Sequence, residues 1–353
     1  MKTFKVLALG GALMLAFGCS HKDNKVAMTL SPEMGTTYKT GDAIPVKLQY
    51  PSDVKPDSVV YLLDSVRFAS TKDSAGVKLK TDTMRLGSRL VTAKLYQGGK
   101  AEEVSTNFML YPAKAPEELA YKVDKVFPHD TSSYTEGLLY QDGFLYESDG
   151  GREGEDAGRS SLRKVNVETG KPVLKVDGDP KVFSEGISIV GDKLVQLTYT
   201  EKLGYVYDKN TFKLLKTFTN NVGYEGWGMC YDGHKLYMDD STNRVWFLNP
   251  ETYAAIGFID VYDDKGPVNQ INELEMIDGK LWANIYQTDT IIVIDPKTGA
   301  VLQSIDLSKL YPQAQRAPNA DVLNGIAWDP QGKRLFITGK KWPKLYQISV
   351  SKK

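Results

Sequence analysis

The sequence predicts an all-β chain in which a β-sandwich precedes a five-bladed β-propeller. Short runs alternate apolar and polar residues almost throughout, and Asp-Gly or Gly-Asp pairs punctuate them. After about residue 120 a strand-turn-strand unit recurs five times, which is the pattern of a propeller rather than of a single sandwich.

The first residues are expected to be a leader and not part of that fold. MKTFK carries two lysines, and an apolar run of 13 residues ends at Gly18. That length is too short for a mature membrane helix and has the layout of an export signal. Leu15-Ala16-Phe17-Gly18-Cys19 resembles a lipobox. The resemblance implies a lipoprotein-type signal peptide over residues 1–19, lipidation of Cys19, and a polar tether over residues 20–26. It also implies a bacterial cell-envelope protein held to a membrane by its lipid, facing the periplasm or the outer surface. Phe17 is unusual in a lipobox and leaves plain signal cleavage open. With Cys19 lipidated, Cys230 is the remaining thiol and no intramolecular disulfide can form.

Composition narrows the partners. The 44 basic residues balance 44 acidic ones, so no electrostatic footprint for nucleic acid is present. The three histidines are His21, His129 and His234, too few and too scattered for a histidine-built zinc site; His129 is the one plausible ligand among them.

Residues 27–112 read as the sandwich. Ala43-Ile44-Pro45-Val46-Lys47-Leu48, Ser58-Val59-Val60-Tyr61-Leu62, Val77-Lys78-Leu79-Lys80 and Leu90-Val91-Thr92-Ala93-Lys94-Leu95 alternate at period 2 between glycine, proline and aspartate breaks. Thr40-Gly41-Asp42-Ala43-Ile44-Pro45-Val46 resembles the opening strands of bacterial immunoglobulin-like modules. No reactive cluster appears here, which suits a spacer or docking module. Residues 113–119, with Pro116, read as a linker.

Residues 120–353 carry the repeat. Its five starts are Glu136-Gly137, Glu185-Gly186, Glu225-Gly226, Asn272-Glu273 and Asn324-Gly325, each leading through a turn to a second strand. The last unit runs out after Lys344-Leu345-Tyr346-Gln347-Ile348. Tyr121-Lys122-Val123-Asp124-Lys125-Val126 has no hairpin partner and is expected to supply the missing outer strand, closing the ring and removing an open edge.

In a propeller the first strand of each blade lines the axis, so Glu136, Glu185, Glu225, Asn272 and Asn324 are expected around one mouth. The connections between second and third strands open there too, bringing in Lys340, Lys341 and Trp342. Three like charges in one funnel raise at least one pKa, which suits a general base or a cation site; each glutamate could instead cap its own strand. Tyr134, Phe183, Tyr224, Trp227, Trp282 and Trp342 point to a partly apolar pocket, although some must belong to the core.

At these residues the chain resembles the plant and bacterial glutamine cyclotransferases. Tyr134-Thr135-Glu136-Gly137-Leu138, Phe183-Ser184-Glu185-Gly186, Tyr224-Glu225-Gly226-Trp227-Gly228, Ile271-Asn272-Glu273-Leu274-Glu275, Leu323-Asn324-Gly325-Ile326-Ala327 and Thr338-Gly339-Lys340-Lys341-Trp342-Pro343 follow the family's motifs in order over about 120–350. The resemblance implies a glutaminyl-peptide cyclotransferase acting on peptides or proteins with N-terminal glutamine, working as a monomer with no required metal. It implies Glu185 as proton shuttle, with Asn272 and Lys340 at the γ-carbonyl oxygen. Glu136, Glu225, Trp227, Phe183, Tyr134, Asn324, Trp282 and Trp342 are the expected substrate-binding residues. Plant members often carry glutamine at the position of Glu136. A structural calcium in the channel is compatible with the family.

Two other readings fit the same ring. A calcium-dependent lactonase or esterase propeller also places Glu and Asn around the axis. A non-catalytic propeller binding peptides or glycans would keep the funnel and lack turnover.

Overall fold

The computed structural model describes residues 27–353; the expected signal peptide, Cys19 and the tether of residues 20–26 lie outside the described residues. Among the described residues every regular element is a strand except one 3-10 turn, Gln313–Gln315. No helix among them is long and apolar enough to cross a membrane.

The N-terminal part pairs two sheets. Thr29–Ser31, Ala43–Gln49 and Val77–Lys80 form one; Thr36–Lys39, Lys100–Tyr111, Gly87–Gln97, Ser58–Leu63 and Val66–Thr71 form the other. Alternation decides which side chains go in. Ile44, Val46 and Leu48 are buried while their neighbours face water, and they meet Val59, Tyr61, Val91, Ala93, Phe108 and Leu110 in one core.

The C-terminal part is built of four-stranded antiparallel units with a β-propeller-like organisation. The first is Thr135–Gln141, Phe144–Asp149, Ser161–Asn166 and Lys171–Asp177; the second is Ser184–Val190, Lys193–Thr198, Leu203–Asp208 and Leu214–Thr219. Met229–Tyr231, Leu236–Asp239, Arg244–Leu248 and Ala255–Asp260 make the third. The hairpin turns use the predicted pairs: Asp142-Gly143 and Asp278-Gly279 all have positive φ.

The remaining strands form one eight-stranded sheet, and its order explains the closure. Ile271–Ile277, Lys280–Ile285, Thr290–Ile294 and Val301–Asp306 run into Glu117–Pro128, then Lys344–Lys352, Arg334–Gly339 and Leu323–Asp329. Glu117–Pro128 pairs antiparallel with Lys344–Lys352, setting Val126 opposite Tyr346 and Tyr121 opposite Val350. It also pairs in parallel with Val301–Asp306, with Glu117 opposite Gln303 and Leu119 opposite Ile305. This second pairing was not expected: the closing strand starts inside the stretch read as linker, so one strand ties two neighbouring units together.

The glycines after Glu136 and Glu185 have a packing cause. A Cβ on Gly137 would stand 2.7 Å from the Ile187 nitrogen, and one on Gly186 would stand 2.4 Å from the Trp227 oxygen. Each glycine therefore lets the next unit's inner backbone approach, and the Gly186 N–H donates to the Trp227 carbonyl at 2.8 Å. On Ile271–Ile277 Glu273 occupies the corresponding place. Its buried carboxylate accepts from the Leu138 and Ile326 N–H groups at 3.2 and 2.8 Å, so a side chain bridges backbones of two other units.

The two parts share a core. Tyr262 belongs to the C-terminal part, yet its ring packs 5.4 Å from that of Tyr111 within the sandwich core. Leu86 N–H donates to the Thr298 carbonyl at 2.9 Å beside it.

Candidate active site

The inner strands and their connections enclose a cleft of about 150 Å³ lined by Tyr134, Glu136, Phe183, Glu185, Tyr199, Trp227, Asn272, Tyr286 and Lys340. Glu136 and Glu185 enter from Thr135–Gln141 and Ser184–Val190, Asn272 from Ile271–Ile277, and Lys340 from the connection after Arg334–Gly339. Lys340 Nζ donates to Glu136 Oε1 at 2.7 Å, and both side chains are buried. Above the ammonium stand the rings of Tyr134 at 4.8 Å and Tyr286 at 5.4 Å.

Glu185 is the contrasting carboxyl. It is buried and makes no hydrogen bond or ion pair among the described residues. Burial first, then the Glu136 charge, pushes its pKa well above the ordinary carboxylate range, although Lys340 pulls the other way. Burial also disfavours the charge on Lys340, but Glu136 and Glu185 outweigh it and hold the ammonium protonated. Burial raises the Glu136 pKa too, against the pull of Lys340, so the site sets two carboxyls of raised pKa around one ammonium.

Two polar atoms in the cleft are buried without partners: Trp227 Nε1, a donor, and Asn272 Oδ1, an acceptor. A buried group left unpaired costs free energy, so each marks where a ligand group would be held. Tyr199 lies at the rim and is hydrogen-bonded to Glu225; burial and that carboxylate raise its pKa.

The structure separates the expected residues into groups. Glu136, Glu185, Trp227, Asn272, Lys340, Phe183 and Tyr134 share the cleft. Glu225 stands beside it, four residues ahead of Met229–Tyr231, the short inner strand of the third unit. Asn324 is fully buried and braces the first inner strand, donating to the Thr135 carbonyl at 2.9 Å and more weakly to Glu136. Trp342 and Trp282 do not line the cleft. Both sit in one buried cluster with Leu119, Ile305 and Leu323 of the eight-stranded sheet, where Trp342 packs edge-on to Tyr311 and Tyr346. The Trp342 indole N–H is spent on the Asp321 carbonyl at 2.8 Å. Tyr199 and Tyr286 went unnoticed in the sequence, although both fall in second-to-third-strand connections.

A second layer fixes the loops that carry the ion pair. The two nitrogens of His129 meet the Trp342 carbonyl at 2.7 Å and Glu147 Oε1 at 2.9 Å. Glu147 also accepts from Ser133 Oγ at 3.1 Å and Thr135 Oγ1 at 2.7 Å. Burial alone would lower the His129 pKa, but Glu147 reverses this and leaves it raised. With both ring nitrogens engaged, His129 is not available as a metal ligand. Among the described residues no group of three or more His, Cys, Asp or Glu side chains is disposed to hold a metal ion. In the ring itself, the Lys340 ammonium already occupies the place a cation would take against Glu136.

The fold and site define a class: an all-β, propeller-like enzyme scaffold whose central cleft sets a buried carboxyl of raised pKa beside a buried Lys–Glu pair. Residues 90–350 match the family model described as glutamine cyclotransferase. A curated glutaminyl-peptide cyclotransferase of Arabidopsis thaliana is 37% identical over 241 residues, 66% of this chain and 73% of the plant protein. The crystal structure of Myxococcus xanthus glutaminyl cyclase superposes with a TM-score of 0.61 at 32% identity, covering 67% of this chain and 99% of that one. The chain belongs to the glutamine cyclotransferase family. The matched region begins at residue 90, inside Gly87–Gln97 and ahead of Tyr134, where the first family motif read in the sequence begins.

Proposed function

We propose that the cleft closes an N-terminal glutamine into pyroglutamate and releases ammonia, with Glu185 moving the protons. The cyclotransferase activity is that of the family; the residue roles are our reading. The observation that carries them is the unpartnered, buried Glu185 carboxyl next to the Glu136–Lys340 pair.

Closure forms a bond from the substrate's α-nitrogen to its own γ-carboxamide carbon and breaks the bond from that carbon to the amide nitrogen. The amine must lose a proton and the leaving nitrogen must gain one. A carboxyl with a raised pKa serves both steps, since Glu185 protonated beside a free amine and Glu185 ionised beside an ammonium hold the same number of protons. Holding the five-membered-ring geometry removes most of the entropic barrier. Trp227 Nε1–H and the Asn272 amide oxygen, both lacking partners, match the carbonyl and NH₂ of a primary carboxamide. Lys340 supplies positive charge as the γ-oxygen becomes an oxyanion. Glu136 keeps that ammonium in place, and Glu225 beside Tyr199 faces the incoming α-ammonium.

This reading needs no metal: Lys340 does the electrostatic work that calcium does in the lactonase alternative. We read the C-terminal part as five blades, the fourth and fifth joined through Glu117–Pro128, and the N-terminal part as an immunoglobulin-like module. We read the leader as placing the protein, as a monomer, in the cell envelope through a lipid on Cys19, which the mass of the mature N-terminal peptide would test. For the reaction, a Gln-initiated peptide is incubated with the protein with and without a strong chelator. Loss of one ammonia by mass spectrometry, with equal free ammonia in both arms, is expected. Retained binding without turnover would favour a peptide-binding propeller, and activity abolished by chelation and restored by calcium would favour the metal-dependent one.

A further inference from the structure

A groove of about 480 Å³ lies on the third unit, lined by Gly223, Tyr224, Asp240, Asn243, Arg244 and Trp246 among others. The cleft has room for one side chain, so the rest of a peptide substrate must leave it over the rim. The segment Gly223–Trp227 joins the two spaces: Tyr224 lines the groove, Glu225 meets Tyr199 of the cleft, and Trp227 lines the cleft. Tyr224 and Trp227 are at most about 11 Å apart along the chain, a span that two or three extended peptide residues cover.

Tyr224 is 76% exposed, and its side chain has no hydrogen bond or ring contact among the described residues. Its backbone is held nonetheless. Lys202 Nζ donates to the carbonyls of Gly223, at 3.0 Å, and of Tyr224. Gly223 has φ +67, and a Cβ there would strike Asp240 Oδ2 at 2.5 Å, so the turn is packed tightly on Asp240. An exposed aromatic on a fixed backbone offers contact area at small entropic cost, as in binding surfaces generally.

The charged side chains of the groove are already engaged from within, Asp240 by hydrogen bonds and Arg244 by an ion pair. Asp240 accepts from Thr242 Oγ1 at 2.6 Å and Trp246 Nε1 at 3.0 Å; Arg244 is paired with Asp260 at 2.7 and 3.1 Å. The group left without a partner to meet a ligand is the Tyr224 ring, with Trp246 and Arg244 also lining the groove. Resting on the cyclisation reading above, we propose that this groove is the subsite for the residues that follow the N-terminal glutamine, and that it selects an aromatic side chain at the second or third position.

The test compares kcat/KM for Gln-Phe-Gly-amide, Gln-Gly-Phe-amide, Gln-Gly-Gly-amide and glutamine amide in the wild type, Tyr224→Ala and Tyr224→Phe. The wild type should prefer one of the phenylalanine peptides over the all-glycine peptide by about tenfold, through KM, as expected for one aromatic contact and its buried area. Tyr224→Ala should erase that preference, Tyr224→Phe should keep it, and glutamine amide should be turned over equally by all three. A preference that survives Tyr224→Ala, or is absent in an active wild type, overturns the subsite and leaves the cyclisation reading standing. Equal losses on glutamine amide and on the peptides would make Tyr224 structural and also overturn it. A wild type inactive on all four substrates overturns the cyclisation reading and the subsite with it.

Discussion

Lys340 Nζ stands 2.7 Å from Glu136 Oε1 with both side chains out of water, so the cation of the cleft has its counter-ion built in. That pair sets the electrostatics of Glu185, whose pKa the Glu136 charge raises and Lys340 lowers. Glu136→Gln keeps the shape, removes the negative charge and leaves Lys340 uncompensated. The Glu185 pKa should then fall, and the limb of the kcat/KM–pH profile that it sets should move to lower pH. A profile that does not move, measured with a Gln-initiated peptide from pH 5 to 9, would separate Glu136 from the proton chemistry.

Lys340→Ala removes the charge that faces the oxyanion and strands Glu136 in a buried site. Turnover should drop by about 10²–10³-fold, as for loss of one oxyanion donor. Stability should drop too, because an unpaired buried charge costs about 3–5 kcal/mol. The double change Lys340→Ala with Glu136→Gln should recover much of the stability, read by urea denaturation, and none of the turnover. Lys341 is half-buried and reaches the Asp156 carbonyl rather than the cleft. Lys341→Ala should leave kcat nearly unchanged.

These residues were legible because the repeat puts them at equivalent places: Glu136, Glu185 and Asn272 each open an inner strand, and that strand lines the axis. Trp342 and Trp282 were misplaced for a reason local sequence does not encode. After Lys340 the chain takes a positive φ at Lys341 and folds the Trp342 indole back over Gly339, where a Cβ would lie 2.3 Å from the ring. Trp282 lies on Lys280–Ile285, and its face depends on how the two halves of the eight-stranded sheet pack. Tyr199 and Tyr286 sit in connections that do not repeat, so no register pointed to them. The start of the closing strand at Glu117 was hidden because its partner, Gln303, is 186 residues away.

The shared core of the two parts makes a stability prediction. Tyr262 is buried in the sandwich core against Tyr111 and Gly87. Tyr262→Ala should destabilise the described chain by about 3 kcal/mol or more, as large aromatic truncations do. A chain beginning at residue 117 should lose stability relative to one beginning at residue 27, since it exposes Tyr262 while keeping the closing strand. Equal denaturation midpoints would mean that the sandwich is an independent spacer.

Stability should also fall as pH rises. Burial, then the Glu147 charge, pushes Asp149 up to about 7, and the same burial holds Glu273 and Asp239 well above their ordinary values. A folded-state pKa above the unfolded one means the native state keeps protons that the unfolded chain has released. The stabilisation is therefore full below the ordinary carboxylate range and is lost as pH climbs through about 7 for Asp149. His129, also raised, adds in the same direction. Glu147 is lowered, its His129 partner outweighing burial, and acts only in the acid arm. Tm should be higher at pH 5 than at pH 8, and Asp149→Asn, which cannot ionise, should flatten that slope. A Tm that rises over this range would contradict the assignment.

The sharpest test of the chemistry is Glu185→Gln. Glutamine preserves the size of the side chain and one carbonyl acceptor, so the cleft should keep its form, and Glu185 has no salt bridge whose loss would confuse the result. What it removes is the group that takes a proton from the α-amine and returns one to the leaving nitrogen. Trp227, Asn272 and Lys340 remain to hold the carboxamide, so KM should change little. Turnover should fall by about 10²-fold or more, the usual worth of general acid–base catalysis. The residual rate should also lose the pH limb that Glu185 governs, which a purely structural defect would not do. Steady-state ammonia release across pH, with mass-spectrometric counting of pyroglutamate, measures both. Near-normal turnover would take Glu185 out of the mechanism and turn attention to Glu225, the remaining carboxylate at the rim that is not paired with a lysine.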